Sequence, residues 1–251
     1  GSEMCIRDRY SPEAALAAVA TSGIEFSTTI SVRTLYRYID NGIFLKLTNK
    51  HLPVKGKKKK KKKKVQVQKR AAAGESIENR PDEVATRETF GHWEMDTVYS
   101  SKEGSCALLV MTERLTRKEI IEKMRDRTAI STVRALNRIE RRFGALFPRV
   151  FQTITVDNGS EFADCPGIER SILAEGSRTK CYYCHPYSSW ERGSNENLNR
   201  MIRRKFPKGT SFADVTRKQV QNVEDWMNNY PRKVLGYLTA EMAYQTCVAA
   251  L

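Results

Sequence analysis

Hydrophobic and polar positions along the chain follow two periodicities, separated by a stretch that follows neither. Near the start, "SPEAALAAVATS" (11–22) reads as a helix, with Ser11 suited to cap it and Pro12 to its first turn. "ISVRTLYRYIDNGIF" sets Leu35 and Ile39 four residues apart, behind a Ser31 N-cap and ahead of an Asn41-Gly42 stop. "GIFLKL" reads as core. "GSEMCIRDRYS", with no initial Met, reads poorly as the opening of a folded unit and suggests a truncated or spliced start.

From about residue 88 the texture changes. "GHWEMDTVYS" (91–100) alternates and is rich in aromatic and β-branched residues, so it predicts a strand; "CALLVMTER" (106–114) and "RKEIIEKM" (117–124) predict two more. "RTAISTVRALNRIERRF" (127–143) carries Ile130, Val133, Leu136 and Ile139 at helical spacing. "FQTITVDNGSEF" (151–162) predicts a short buried strand ending at Asp157, where Asn158-Gly159 turns the chain. "EFADCPGIERSIL" (161–173) predicts a helix with Pro166 as its weak point, and "TKCYYCHPY" (179–187) a strand. A helix from Ser194 to about Arg204 and another over 214–230 complete a mixed α/β domain.

Charge changes the picture in one place. The formal net charge is +15, but Lys55, Lys57 through Lys64, Lys69 and Arg70 lie together with no acid among them. Residues 51–85 therefore read as a basic flexible linker, with Lys57, Lys60 and Lys64 placed to touch phosphates without regard to sequence. The helical pair in residues 1–50 suits a partial helix-turn-helix DNA reader, with Arg33 and Arg37 on its second helix. Six scattered cysteines point to reduced thiols in a cytoplasmic protein. No apolar run reaches about 18 residues, so no membrane span or membrane partner is expected. "CYYCH" (181–185) lacks a second ligand pair and is set aside as a zinc or haem site.

The carboxylates carry the chemistry. Asp96 interrupts a bulky apolar strand, a costly position for an acid that has neither a partner nor a cation. Asp157 stands at a strand end, where α/β sheets present ligand-binding groups. In "WERGSNENLNRMIRRKFPKG", a helix opening at Ser194 puts Glu196, Asn199 and Arg203 on one side, while Glu191 precedes the helix. Hard divalent cations need such oxygens, and phosphodiester chemistry can run on two of them about 3.5–4 Å apart. Arg192, Asn199, Arg200, Arg203, Arg204 and Lys205 are placed to hold DNA beside the acids.

"GHWEMDTVYS", "TVDNGSEF", "YYCHPYSSWERGSNENLNRMIRRKFPKGT" and "NNYPRKVLGY" resemble, in that order, the catalytic domain of bacterial DDE transposases of the insertion-sequence-thirty family; "TLYRYIDNGIF" resembles the end of its DNA-binding region. The resemblance implies that residues 86–251 form an integrase-type domain, an RNase H-like mixed five-stranded sheet flanked by helices. It implies Asp96, Asp157 and Glu196 as the catalytic, metal-ligating triad, with Glu191 a flanking residue. The cofactor implied is Mg²⁺, two ions, for which Mn²⁺ can substitute. The implied partners are the DNA of terminal inverted repeats and of a target, with a homo-oligomer acting on paired ends in the bacterial nucleoid. The interval from Asp157 to Glu196 is long for the family, and Ala240 stands where a Pro is usual. Two other readings remain open: an inverted-repeat binding protein without transposition, and a structure-selective nuclease of the same fold.

Overall fold

The computed structural model describes residues 2–24, 28–53, 74–99, 106–186, 188, 191 and 195–251, with the side chains of 195 and 196 excepted. The chain divides into two compact units, one of Gly1–Gln66 with Asn229–Ala240, the other of Val67–Asn228 with Glu241–Leu251.

In the first unit, α1 (Ser2–Arg7), α2 (Pro12–Ala20) and α3 (Val32–Asp40) enclose a small core. The opening residues do fold, because Ile6 is fully buried against Ala15, Leu35, Ile39 and Leu47. Both expected caps form: Ser11 Oγ accepts from the N–H of Ala14, and Ser31 Oγ from that of Thr34. Gly42, at φ 67, ends α3 in the left-handed region. "GIFLKL" is only partly core. Leu47 is buried, whereas Ile43 and Leu45 are exposed, so an apolar run beyond the helix stop contributed one anchor. The later segment closes on this unit through the stacked rings of Tyr10 and Tyr230, 4.7 Å apart.

The second unit begins with β1 (Glu75–Ser76) and α4 (Glu83–Thr86). Then come β2 (His92–Tyr99), β3 (Ala107–Glu113), β4 (Glu119–Met124), α5 (Ala129–Phe143) and α6 (Phe147–Val150). β5 (Thr153–Val156), α7 (Cys165–Glu169), β6 (Lys180–Tyr183), α8 (Asn195–Lys205), α9 (Arg217–Asn228) and α10 (Ala240–Ala249) complete the order. One six-stranded sheet runs β1-β6-β5-β2-β3-β4. β2, β3 and β4 form an antiparallel meander, and β5, β6 and β1 continue from β2 in parallel. This is the RNase H-like arrangement, with one strand more than the five expected. The extra strand comes from residues read as linker; its two residues pair with Tyr182 and Tyr183, too short a run to leave a periodic signal.

The odd residues of β2 enter the core. Trp93 and Met95 pack with Leu136, Ile139, Phe151 and Ile154, and the Trp93 indole N–H donates to the Val150 carbonyl at 2.7 Å. On α5 the buried face is Ser131, Thr132, Ala135, Leu136, Ile139 and Glu140. Leu136 and Ile139 are buried as the apolar spacing requires, whereas Ile130 is 63% exposed, so the spacing marked the right helix and failed at its first position. Residues 161–173 do not form one helix. A 3₁₀ turn over Ser160–Phe162 precedes the five-residue α7, and Pro166 lies in the first turn of α7, where its missing N–H costs nothing. Ala240 likewise opens α10, a place that accepts Pro or Ala alike.

Candidate active site

The site is built at the end of β2. His92 faces Thr153, Trp93 faces Ile154 and Glu94 faces Thr155 in parallel register. The pairing ends at Glu94 and Thr155; counted two positions beyond it, Asp96 corresponds to Asp157, the first residue past β5. Strand alternation gives residues in register the same side of the sheet, opposite to Trp93 and Met95. The two acids, so far apart in sequence, thus follow corresponding positions of two adjacent strands.

Each carboxylate is oriented by local backbone. Asp96 Oδ1 accepts from the N–H of Thr97 at 2.9 Å, and Asp157 Oδ1 accepts from the N–H of Gly159 at 2.9 Å. The turn after Asp157 is pinned by Asn158, whose amide donates to the Cys184 carbonyl at 2.7 Å.

α8 closes the site from the third direction. Leu198, Met201 and Ile202 form its buried stripe, and that packing turns Asn199 and Arg203 toward β2. Asn199 Nδ2 donates to Asp96 Oδ2 at 2.9 Å, and Arg203 Nη2 donates to the Tyr99 carbonyl at 2.7 Å. Glu196 lies one turn before Asn199 on the same helix; its side chain falls outside the described residues, as do Arg192, Lys57, Lys60 and Lys64.

Glu191 is committed elsewhere. Its carboxylate accepts from the His185 backbone N–H at 2.9 Å and meets His185 Nδ1 at 2.7 Å, while Glu78 meets Nε2 of the same ring at 3.1 Å. Hydrogen bonding to Glu191, then to Glu78, holds the imidazole pKa above its ordinary value.

Of the predicted phosphate contacts, Arg33 and Arg37 are exposed on α3 and Arg200 on α8. Arg203 is half-buried, with its guanidinium also over the Phe212 ring, and Lys205 Nζ lies 4.7 Å from the Trp226 ring centre. These two basic residues fasten α8 through Tyr99, Phe212 and Trp226.

A group not singled out from the sequence stands beside the aspartates. Glu161, 2% exposed, accepts at Oε1 from Thr97 Oγ1 at 2.7 Å and from Arg127 Nε at 2.6 Å. Arg127 also covers the Tyr99 ring at 4.8 Å. Glu161 sits in "DNGSEF", but its partners come from β2 and from the start of the α5 segment, so no local spacing reveals them.

A hard divalent cation fits the oxygen donors of Asp96 and Asp157, whose carboxylates are already oriented. Among the described residues no three His, Cys, Asp or Glu side chains group closely enough to enclose an ion by themselves.

The integrase core domain family matches residues 86–189. The transposase for insertion sequence element IS4351 of Bacteroides fragilis is 34% identical over 250 residues, covering 97% of this chain and 71% of the relative. The chain belongs to the insertion-sequence transposases. This transposase-family chain is also 34% identical, over 176 residues, to transposase InsI for insertion sequence element IS30A of Escherichia coli (strain K12), covering 70% of this chain but 43% of that relative. Its family is one of enzymes, DDE polynucleotidyl transferases that use divalent metal. A simian T-cell lymphotropic virus intasome is a structural neighbour at TM-score 0.43 and 15% identity, covering 55% of this chain and 48% of that one. No helix among the described residues is long and apolar enough to cross a membrane.

Proposed function

We propose that the chain cuts DNA at the ends of an insertion sequence and joins the freed 3′-hydroxyl to target DNA. Asp96, Asp157 and Glu196 would hold two Mg²⁺ ions, or Mn²⁺ in their place. What supports this reading is the parallel β2–β5 pairing, continued toward Asp96 and Asp157, together with the hydrogen bond from Asn199 of α8 to Asp96, one turn after Glu196.

When bound, the two cations supply charge neutralisation at the attacking and leaving oxygens of an in-line displacement at phosphorus. The protein's own part is positioning. Backbone N–H groups and Asn199 fix the carboxylate directions before DNA arrives, which avoids reorganisation during reaction. Arg200 and Arg204 on α8 extend the positive surface along which a phosphate backbone would lie, while Arg33 and Arg37 on α3 suit recognition of inverted-repeat DNA. Arg192, Lys57, Lys60 and Lys64 would add to this surface, and a homo-oligomer would hold paired ends.

The test is a Mg²⁺-dependent cleavage and strand-transfer assay on inverted-repeat oligonucleotides. Asp96→Asn, Asp157→Asn and Glu196→Gln should each abolish cleavage while DNA binding survives, and Glu191→Gln should remain active. A dead Glu191→Gln beside an active Glu196→Gln would reverse the assignment. Cleavage without any joined product would favour a nuclease instead.

A further inference from the structure

Glu161 is the feature that the triad leaves unexplained. One oxygen of its carboxylate, Oε1, is held by Thr97 and Arg127. The other, Oε2, is buried and has no hydrogen-bond partner among the described residues. A buried carboxylate oxygen left unsatisfied is costly, so such an atom in a folded protein calls for a ligand.

Its direction indicates which one. A methyl group placed on Gly159 would stand 2.6 Å from Glu161 Oε2 and 2.9 Å from Asp157 Oδ1. The two oxygens therefore border one small volume, and the glycine keeps that volume open. Backbone conformation does not demand glycine here, since Gly159 has φ −64, which any residue adopts. What glycine supplies is space between two acids.

We propose that Glu161 is a positioning residue for the divalent cation at Asp157, its Oε2 accepting a hydrogen bond from a water on that ion. The inference rests on Asp157 being a cation ligand. Mg²⁺ retains several waters when protein-bound, and carboxylates that orient such waters tune affinity without touching the metal. The Arg127 pair at Oε1 locks the carboxylate so that Oε2 faces the water, and the Thr97 hydroxyl fixes it from the strand that carries Asp96.

The experiment measures Mn²⁺ binding to the full chain by electron paramagnetic resonance of the free ion, without DNA, in wild type, Asp157→Asn, Glu161→Gln and Gly159→Ala. Gln keeps an acceptor for Thr97 and Arg127 but turns an N–H₂ toward the water; Ala leaves Glu161 chemically intact and fills the gap. Circular dichroism verifies folding of each variant. Both Glu161→Gln and Gly159→Ala should weaken Mn²⁺ binding by about tenfold or more, and should shrink the rise in Tm that Mn²⁺ produces. A purely structural Glu161 would lower Tm with and without Mn²⁺ alike and leave the affinity unchanged, which overturns the proposal. If Asp157→Asn weakens Mn²⁺ binding while Glu161→Gln and Gly159→Ala do not, the role of Glu161 alone is refuted. If Asp157→Asn also binds as wild type does, the cation reading of the whole site fails with it.

Discussion

Asp96 is held at both oxygens, by its neighbour's N–H and by the Asn199 amide. Asn199→Ala removes one of these and frees the carboxylate to rotate. Loss of a group that orients a metal-binding carboxylate costs roughly 10–100-fold, so the cleavage rate should fall by about that factor while DNA affinity holds, as a single-turnover assay would show. Asn199→Asp should be worse, because it places a second negative group against Asp96. Glu191 belongs to the same scale with a different outcome. His185 is protonated more readily than a free imidazole because Glu191, and then Glu78, accept from it. A raised folded-state value means the clamp contributes fully below the unfolded value of about 6.5 and is lost as pH rises through the higher folded one. Nuclear magnetic resonance titration of the His185 ring should give a pKa above 6.5, falling back toward the ordinary value in Glu191→Gln.

Elements in this fold depend on partners that lie far along the chain. β4 is an edge strand, and α9 covers it: the N–H of Glu119 donates to Asn228 Oδ1 at 2.8 Å, and that of Ile121 to Glu224 Oε2 at 2.6 Å. Asn228 Nδ2 returns a bond to the Glu119 carbonyl at 2.9 Å. Covering an edge in this way satisfies its backbone and blocks pairing with another chain. Asn228→Ala should therefore destabilise the second unit by about 1–3 kcal/mol and increase its tendency to aggregate, measured by urea unfolding and light scattering. Such dependence also decides what could be read from the sequence. Asp96 and Asp157 were legible because each breaks a local pattern, an acid in an apolar strand and a turn after a buried one. The helix of Glu196 was legible from a start at Ser194 with Glu196, Asn199 and Arg203 at helical spacing. Glu161 was not, because Thr97 and Arg127 reach it from 64 and 34 positions away. On α5, Leu136 and Ile139 were legible, but Ile130 is exposed because Ser131 and Thr132 take the buried place in the first turn, and β1 was missed because it exists only by pairing with β6.

For the whole molecule, the charge distribution separates affinity from chemistry. Much of the +15 excess lies in one run, Lys57 through Lys64, while arginines of the candidate site are engaged with protein groups. Arg203 binds the Tyr99 carbonyl and Arg127 binds Glu161. A polyanion held mainly by the run would release counterions in proportion to the charges it contacts, with log K falling by about 0.9 per phosphate neutralised as log salt rises. Replacing those eight lysines with a Gly/Ser segment of equal length should reduce the slope by up to about 7, weakening binding strongly at low salt and little at high salt. The same replacement should leave the Mn²⁺ affinity of the chain unchanged, since hard divalent cations bind oxygen ligands, which lysine does not supply. Fluorescence anisotropy on inverted-repeat and scrambled duplexes measures both limbs. A run that binds phosphates without reading bases weakens the two duplexes equally, so the ratio between them should survive the replacement. An unchanged slope would make the run a tether alone and move the electrostatic contact to the helices that carry Arg33, Arg37 and Arg200.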